Sequence, residues 1–194
     1  MSVVIINKRK LGIVLTLAGI IILLFGIGIN LKSRFNFTMF THNSLNDFCE
    51  YTELNGSVRY KIPCTWKVTK QNISGDEVLS HTDFRSKDQK INGFFQVWKF
   101  NGDIENFLKE SKAISSKQNL YKKYSLQILN LGGKKVYFIE YNITKEVGDS
   151  YIGQEYFIQN GNKFYRFSFF MKEDDFKENF SSMFRNIVET LKYN

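Results

Sequence analysis

The two cysteines of the chain, Cys49 and Cys64, are the residues with the most direct chemistry, and 14 residues lie between them. In an oxidising compartment a disulfide closing a loop of this size would stabilise the fold by roughly 3 kcal/mol in the chain-entropy model. The alternative is a pair of free thiols, because spacing alone does not show that the two Cα atoms are close. Both states are open from the sequence.

The chain has two histidines, His42 and His81, and neither lies in a recognised catalytic motif. A cysteine nucleophile needs a histidine base, so the sequence does not support catalysis by Cys64. His81 and Asp83 would place two metal-ligating side chains on one face of a strand. A metal site needs three or four ligands, and the remaining ligands are not apparent. We therefore expect no catalytic residue, no metal and no cofactor.

The stretch Tyr121-Lys122-Lys123-Tyr124 alternates aromatic and cationic side chains. Such a run contacts anionic lipid headgroups or acidic cell-wall polymer, or it is a solvated loop with tyrosines at the start of a strand. We favour the loop. The chain has no phosphate-binding glycine loop, no nucleophile elbow and no paired zinc motif, so no constellation of residues identifies a reaction.

The segment that positions everything else is an uncharged run over residues 11–31, in which Thr16 and Asn30 are the polar side chains. As a helix it would rise about 31 Å, close to the hydrocarbon thickness of a bilayer. The run is longer than the core of a signal peptide, and no Ala-x-Ala cleavage site follows it. The sequence therefore predicts a retained transmembrane helix, with a cleaved signal peptide as the less favoured alternative.

Cations flank this segment on both sides, namely Lys8, Arg9, Lys10, Lys32 and Arg34. The excess on the first side favours a cytoplasmic arm at residues 1–10 and an extracellular domain on a single-pass anchor in the cell membrane. The reversed topology, with the domain in the cytoplasm, is the alternative. Gly12, Gly19 and Gly26 would share one helix face. They form a contact for another membrane helix, or they reflect the frequency of glycine in such helices, which we favour.

The net charge of +8 belongs mostly to the membrane flanks. Residues 1–35 carry five cations and no acids, and the remaining residues carry 22 basic and 19 acidic side chains. A balance of +3 over the rest of the chain does not form a dedicated nucleic-acid surface. We therefore expect the partners to be a membrane and a protein or surface ligand, and no nucleic acid.

Residues 32–50 are predicted to be a juxtamembrane linker, with a first strand of the domain as the alternative, and residues 51–194 to be one folded domain. Hydrophobic periodicity predicts helices over 104–116 and 174–192. It predicts strands over 57–62, 66–69, 78–84, 91–100, 124–130, 134–144, 151–159 and 163–171. In the strand over 91–100, Phe94 and Trp98 alternate with Phe95 and Val97, which indicates a sheet covered on both faces.

Four motifs in order resemble the PsbP-like family, named after the extrinsic oxygen-evolving protein of photosystem II, whose eukaryotic branch includes a Ran-binding import factor. The motifs are YKIPCTW at 60–66, GKKVYFIEY at 133–141, GNKFYRFSF at 161–169 and FRNIVETLK at 184–192. The resemblance covers most of residues 51–194. It implies an α+β fold, an antiparallel sheet with helices on both faces in an α/β/α sandwich. It also implies a bacterial member attached to the membrane or secreted, and it assigns no site residue.

The expected function is a membrane-anchored extracytoplasmic binding or adaptor protein. It would engage another envelope protein or a surface ligand through a sheet edge or a group of loops. The alternative is a small cell-surface hydrolase with scattered carboxylates. A pocket with converging titratable groups would distinguish the second function from the first.

Overall fold

The computed structural model describes residues 47–72, 76–116, 120–144 and 149–194. The predicted arm at 1–10, the predicted membrane helix at 11–31 and the linker up to residue 46 lie outside the described residues. Gly12, Gly19, Gly26 and His42 lie outside them as well. Within the part of the chain that the structure describes, no helix is long and apolar enough to span a bilayer.

The described part contains ten strands, two α-helices and one short 3-10 helix. The strands are β1 (Phe48–Glu53), β2 (Val58–Pro63), β3 (Lys67–Gln71), β4 (Val78–Arg85), β5 (Asn92–Lys99), β6 (Leu120–Leu131), β7 (Lys134–Thr144), β8 (Ser150–Asn160), β9 (Lys163–Lys172) and β10 (Lys192–Tyr193). The helices are α1 (Ile104–Ser115) and α2 (Glu178–Glu189), and the 3-10 helix spans Glu173–Asp175.

The strands form two antiparallel sheets. The larger sheet has seven strands in the order β3-β4-β5-β9-β8-β7-β6, and the smaller has three in the order β1-β2-β10. Every neighbouring pair is antiparallel. The prediction of mostly antiparallel sheet accompanied by two helices is confirmed.

Each helix packs on a different face of the seven-stranded sheet. Phe94 and Trp98 of β5 belong to a core cluster that includes Ile104 and Leu108 of α1. The neighbouring positions of β5 face the other way, into a cluster with Phe184 of α2 and with β2. We call these the α1 face and the α2 face. Both faces of β5 are buried, as the alternation of aromatic residues predicted.

Helix α1 begins where its sequence predicts. Asp103 is extended, and its carboxylate accepts a hydrogen bond of 2.8 Å from the backbone N–H of Asn106. Glu105 lies in the first turn, where a negative charge interacts favourably with the helix dipole. The N-cap at Asp103 fixes where the helix starts on the α1 face.

The closing helix is shorter than the predicted range 174–192. A 3-10 turn precedes it, Phe176 is extended, and α2 begins only at Glu178. Tertiary contacts explain the break, since Asn142 donates to Glu173 over 2.9 Å and Lys90 forms an ion pair with Asp175. The C-terminal residues leave the helix because β10 pairs with β2.

One strand begins earlier than the sequence predicts, and another crosses the predicted boundary between linker and domain. Strand β6 starts at Leu120 rather than at 124, because a bulge between Tyr121 and Lys123 interrupts its alternation. Strand β1 starts at Phe48, so the predicted boundary between residues 50 and 51 falls inside a strand that pairs with β2. Residues 48–50 are therefore part of the smaller sheet.

Candidate functional site

Cys49 and Cys64 form a disulfide in the structure, with their Cα atoms 4.9 Å apart. Cys49 lies in β1, and Cys64 directly follows β2, where its N–H donates to the carbonyl of Asp47 over 2.7 Å. The described residues include no free cysteine. The sulfur of Cys64 is therefore bonded rather than available as a nucleophile, and the crosslink ties the first strand of the domain to the second.

A buried carboxylate joins the smaller sheet to the larger one. Glu53, at the end of β1, is 3% exposed and accepts hydrogen bonds of 2.6 Å from the hydroxyls of Ser80 and Thr82 in β4. Lys70 of β3 lies 2.6 Å from the same carboxylate. Burial alone would raise the pKa of Glu53, but the hydrogen bonds and the charge of Lys70 outweigh burial and lower it.

The lowered pKa of Glu53 makes its contribution depend on pH. A carboxyl group with a depressed folded-state pKa stabilises the fold above its unfolded pKa, and this stabilisation is lost as the pH falls through the folded-state pKa. We expect Glu53→Gln to lower the free energy of unfolding by about 1–3 kcal/mol at neutral pH. The deficit should shrink below about pH 4. Denaturant unfolding between pH 3 and 7 measures it, with the exposed Glu50→Gln as the matched control. A deficit that does not vary with pH would contradict the assignment.

His81 and Asp83 are in contact, but they form part of a hydrogen-bonded chain rather than a metal centre. The indole N–H of Trp98 donates to the Gln96 carbonyl over 2.9 Å, and the Gln96 amide N lies 2.7 Å from His81 Nδ1. This order makes Nδ1 the acceptor, so His81 Nε2–H donates to Asp83 over 2.8 Å. Among the described residues, no group of three or more ligating side chains occurs, and no hydroxyl nucleophile hydrogen-bonds to His81.

An ion pair is buried at the centre of the α1 face. Arg166 of β9 is 2% exposed, and its Nε and Nη2 atoms lie 3.0 and 2.8 Å from Glu155 Oε2. Tyr141 donates to the other oxygen of Glu155 over 3.1 Å. Burial and the charge of Glu155 raise the pKa of Tyr141, so its hydroxyl keeps the proton that it donates. The guanidinium also lies over the rings of Phe94 and Phe157, 4.8 and 5.4 Å from their centroids.

This ion pair does not use all of its hydrogen-bonding capacity within the described residues. Arg166 Nη1 and the hydroxyl of Ser168, two positions along β9, are buried without a partner there. The first has two N–H donors, and the second is a donor and an acceptor. Both side chains nevertheless lie in the interior, because the alternating pattern of β9 places them on the same face as Phe164 and Phe170.

The structure separates the residues of the Tyr121–Tyr124 stretch. Tyr121 donates to Ser115 of α1 over 3.0 Å, and Tyr124 lies beneath the ammonium of Lys112, 4.3 Å from its ring centroid. Both tyrosines are half-buried against the α1 face, and burial raises their pKa. The favoured interpretation of this stretch is a solvated loop with tyrosines at the start of a strand; the loop is wrong, since all four residues belong to β6, and the tyrosines do lie in the first part of that strand.

The two lysines of this stretch are exposed and contact different partners. Lys122 donates to the hydroxyl of Ser150 over 2.8 Å, and Lys123 lies 2.7 Å from the carboxylate of Glu140. The four residues therefore do not present one continuous surface of aromatic and cationic side chains. Lysines and tyrosines separate onto the solvent side and the α1 side of the same strand.

Strand β6 is an edge of the seven-stranded sheet and the longest strand in the described part, with 12 residues. Ile128 is 55% exposed on it, and the described part of the chain has one other exposed large hydrophobic residue, Leu79. Tyr124 and Leu126 are half-buried on the same face as Ile128. We call the outer side of β6 at residues 123–131, together with these three side chains, the β6 edge.

Lysines lie at both ends of the β6 edge. Lys122 and Lys123 lie at its beginning, and Lys134 and Lys135 follow the turn at its end. An edge strand offers a row of backbone N–H and C=O groups that can pair with another extended chain. The exposed Ile128 adds an apolar side chain to that row.

Sequence reasoning did not identify Glu53, Arg166 or Ile128 as residues of interest. For Arg166 a signal exists, because it lies within KFYRFSFFM, where the neighbours on both sides are aromatic and both faces of the strand must be buried. For Glu53 and Ile128 no local signal exists, since their surroundings depend on how distant strands pair.

The fold and its sites define a disulfide-linked α+β domain with a buried ion pair and a strand edge that no other described strand covers. No protein-family model and no curated protein matches the sequence. Its fold is similar to the solution structure of cyanobacterial PsbP (CyanoP) from Synechocystis sp. PCC 6803, with a TM-score of 0.57 and 12% identity. That match covers 81% of this chain and 98% of CyanoP. The fold is therefore PsbP-like.

A crystal structure from Bacteroides thetaiotaomicron VPI-5482 is also similar, with a TM-score of 0.53 and 15% identity. The match covers 75% of this chain but 48% of that one, so the chain spans about half the length of the Bacteroides protein. At these identities the two similarities establish the fold and nothing about what this chain binds.

Proposed function

We propose that this chain is a membrane-anchored extracytoplasmic protein that binds another envelope protein through the β6 edge. Residues 11–31 would hold it in the cell membrane with the arm at 1–10 in the cytoplasm. The domain would be a membrane-anchored bacterial member of the PsbP-like group, with α1 and α2 completing an α/β/α sandwich.

The exposed β6 edge is the observation that carries the binding role. It combines a stretch of nine residues without a bulge, paired on its inner side with β7, with an apolar side chain, Ile128, that is 55% exposed. Exposed apolar surface next to free backbone groups is a common feature of protein-binding sites on sheets. Among the described residues, His81 contacts an amide and a carboxylate but no hydroxyl or thiol, so the hydrolase alternative has no comparable support there.

The disulfide supports the extracytoplasmic location. Disulfides persist in oxidising compartments and are rare in the reducing cytoplasm. The crosslink lies at the first strand of the domain, close in sequence to the proposed anchor. A domain displayed outside the membrane would keep this bond, which agrees with the orientation that the flanking cations favour.

Site-specific cross-linking in intact cells tests the proposed function. A photoreactive benzoylphenylalanine in place of the exposed Gln127 of β6 should capture a defined envelope protein. The same group in place of Lys67, on the exposed opposite edge strand β3, is the matched control and should not capture it. Identical adducts from both positions, or none from Gln127, would overturn binding at this edge.

Protease treatment of the same cells tests the location. External protease should degrade the domain if it lies outside the membrane. The domain would stay intact if it lay in the cytoplasm, or if its fold resisted the protease. Digestion after mild denaturation separates these two cases, because a resistant extracytoplasmic domain is then cleaved while a cytoplasmic domain stays behind the membrane. A cytoplasmic protein that remains intact is the internal control. A domain that stays intact while other surface domains are digested would overturn the extracellular assignment.

A further inference from the structure

We infer, on the basis of the proposed function, that the partner binds the β6 edge as an extended acidic segment. That segment would have apolar residues at alternate positions and would add an eighth strand to the seven-stranded sheet. Three features of the edge support this partner chemistry: its register, the side chains on its α1 face, and the distribution of its charges.

The register leaves room for one added strand of moderate length. The bulge at Lys122 interrupts the pairing of β6 with β7 near the beginning of β6, and this pairing is then continuous from Lys123 to Leu131, so the outer side of the same nine residues is also regular. At about 3.3 Å per residue, this stretch accommodates a partner strand of seven to nine residues. Longer partners would have to bend away at the bulge, which twists the strand locally.

The side chains on the α1 face select apolar residues at alternate positions of the partner. Tyr124, Leu126 and Ile128 point to this face, because they pair with Tyr141, Ile139 and Tyr137 of β7. Side chains directly opposite one another in a sheet contact each other, so a partner strand would place every second residue against these three. Covering Ile128 with an apolar side chain would remove an exposed hydrophobic surface from water.

The charges at both ends of the edge select acidic residues flanking the apolar positions. Lys122 contacts a serine hydroxyl and Lys112 the ring of Tyr124, and neither forms an ion pair with a carboxylate among the described residues. At the other end, Lys135 lies over Tyr137, 4.7 Å from its ring centroid. Carboxylates on a partner would complement these cations.

The same charges disfavour a second copy of this chain as the occupant. Two β6 strands paired antiparallel would bring the beginning of one beside the end of the other. Lys122 and Lys123 would then approach Lys134 and Lys135 of the second copy. Like charges brought together across an interface are destabilising, and edge lysines are a known means of preventing such pairing.

A peptide-binding experiment with the full chain in phosphatidylcholine nanodiscs tests this inference. The probe is the fluorescein-labelled peptide Asp-Asp-Val-Thr-Val-Thr-Val-Asp-Asp, and the control replaces its four aspartates by lysines. We expect the acidic peptide to bind at least about tenfold more tightly at low ionic strength, with the difference decreasing as salt screens the charges. Hydrogen exchange should slow at residues 123–131 when the acidic peptide is bound.

Variants of the edge separate the two parts of the inference. Ile128→Asp should weaken binding of the acidic peptide by about tenfold, because it removes the apolar contact and repels the acidic ends. Leu79→Asp, at the other exposed large hydrophobic residue, is the matched control and should leave binding unchanged. The double variant Lys122→Glu/Lys135→Glu, which leaves the ion pair of Lys123 with Glu140 in place, should reverse the preference between the acidic and basic peptides.

Each other outcome has a defined meaning. Equal binding of both peptides, or slowed exchange at a site other than β6, would overturn the inference. Dimerisation of the chain with β6 protected in the absence of peptide would show that a second copy is the occupant, which also overturns it. If the peptide does not bind but Gln127 still captures an envelope protein in cells, the partner chemistry is wrong and the proposed function stands.

Discussion

Replacing Arg166 by methionine while Glu155 stays in place will lower the free energy of unfolding by about 3–5 kcal/mol. Glu155 is 4% exposed and would lose the Nε and Nη2 contacts at 3.0 and 2.8 Å. The carboxylate of Glu155 would stay charged in an apolar layer. Among the described residues, it would keep one hydrogen bond, which Tyr141 donates. A buried charge without its partner is among the most destabilising changes that a single substitution makes.

The matched double variant Arg166→Met/Glu155→Gln should recover part of this loss. A neutral amide at position 155 removes the uncompensated charge and keeps an oxygen that can accept from Tyr141. We expect the double variant to be more stable than Arg166→Met by about 1–3 kcal/mol, since buried ion pairs cost desolvation when they form. Lys109→Met, which removes the exposed ion pair with Glu105, is the surface control and should leave stability unchanged within error.

Denaturant unfolding of the full chain in detergent micelles measures these effects. The chain has two tryptophans, and each reports on one face, since Trp66 belongs to the α2-face cluster and Trp98 to the α1-face cluster. Arg166→Met should shift the transition seen by both probes if the domain unfolds as one unit. A variant as stable as the wild type would show that Glu155 finds another partner, and the ion pair would then not be a stabilising feature.

The main strands and helix α1 are predictable from the sequence because their signals are local. Asp103 is a helix cap followed by a hydrophobic stripe, and Phe94 and Phe95 fill both faces of one strand. The Asn-Gly turn between β8 and β9 joins two alternating strands, which is a strong hairpin signal. Each of these features depends on residues within a few positions of one another.

The errors occur where contacts between distant residues override the local pattern. The spacing of Phe176 and Phe180 fits a helix, yet contacts of the preceding acidic residues with β7 and with Lys90 hold the chain in a short turn. At β6 a single bulged residue puts Tyr121 and Tyr124 on one face, which removes the alternation that identifies a strand. Neither the contacts of the acidic residues nor the position of the bulge is encoded in the nearby sequence.

The candidate sites are less predictable than the fold, since strand order determines them. Glu53 accepts hydrogen bonds from Ser80 and Thr82, which lie 27 and 29 positions away. Ile128 is exposed because β6 lies at an edge of the sheet. Strand β7 is the one described neighbour of β6, since β8 and the remaining strands follow on the far side of β7. The alternation of a strand identifies its two faces, but it does not identify the neighbours of the strand.

Reducing the disulfide between Cys49 and Cys64 will lower the free energy of unfolding by roughly 3 kcal/mol in the chain-entropy model. The crosslink joins β1 to the residue after β2, and these strands cover part of the α2 face through Val58, Tyr60 and Ile62. Reduction should therefore lower the unfolding midpoint of the wild type. The variant Cys49→Ala/Cys64→Ala is the matched control and should be equally unstable with and without reductant.

The same bond reports on the orientation of the chain in the membrane. The apolar segment has three cations before it and two after it, which favours a cytoplasmic N-terminal arm. A domain in the oxidising extracytoplasmic space keeps its disulfide, whereas a domain in the cytoplasm has two free thiols. Alkylation of intact cells before lysis, followed by non-reducing mass spectrometry, should find both cysteines unmodified and joined. Two alkylated cysteines would place the domain in the cytoplasm and remove the extracellular partner, even if the β6 edge binds a peptide in vitro.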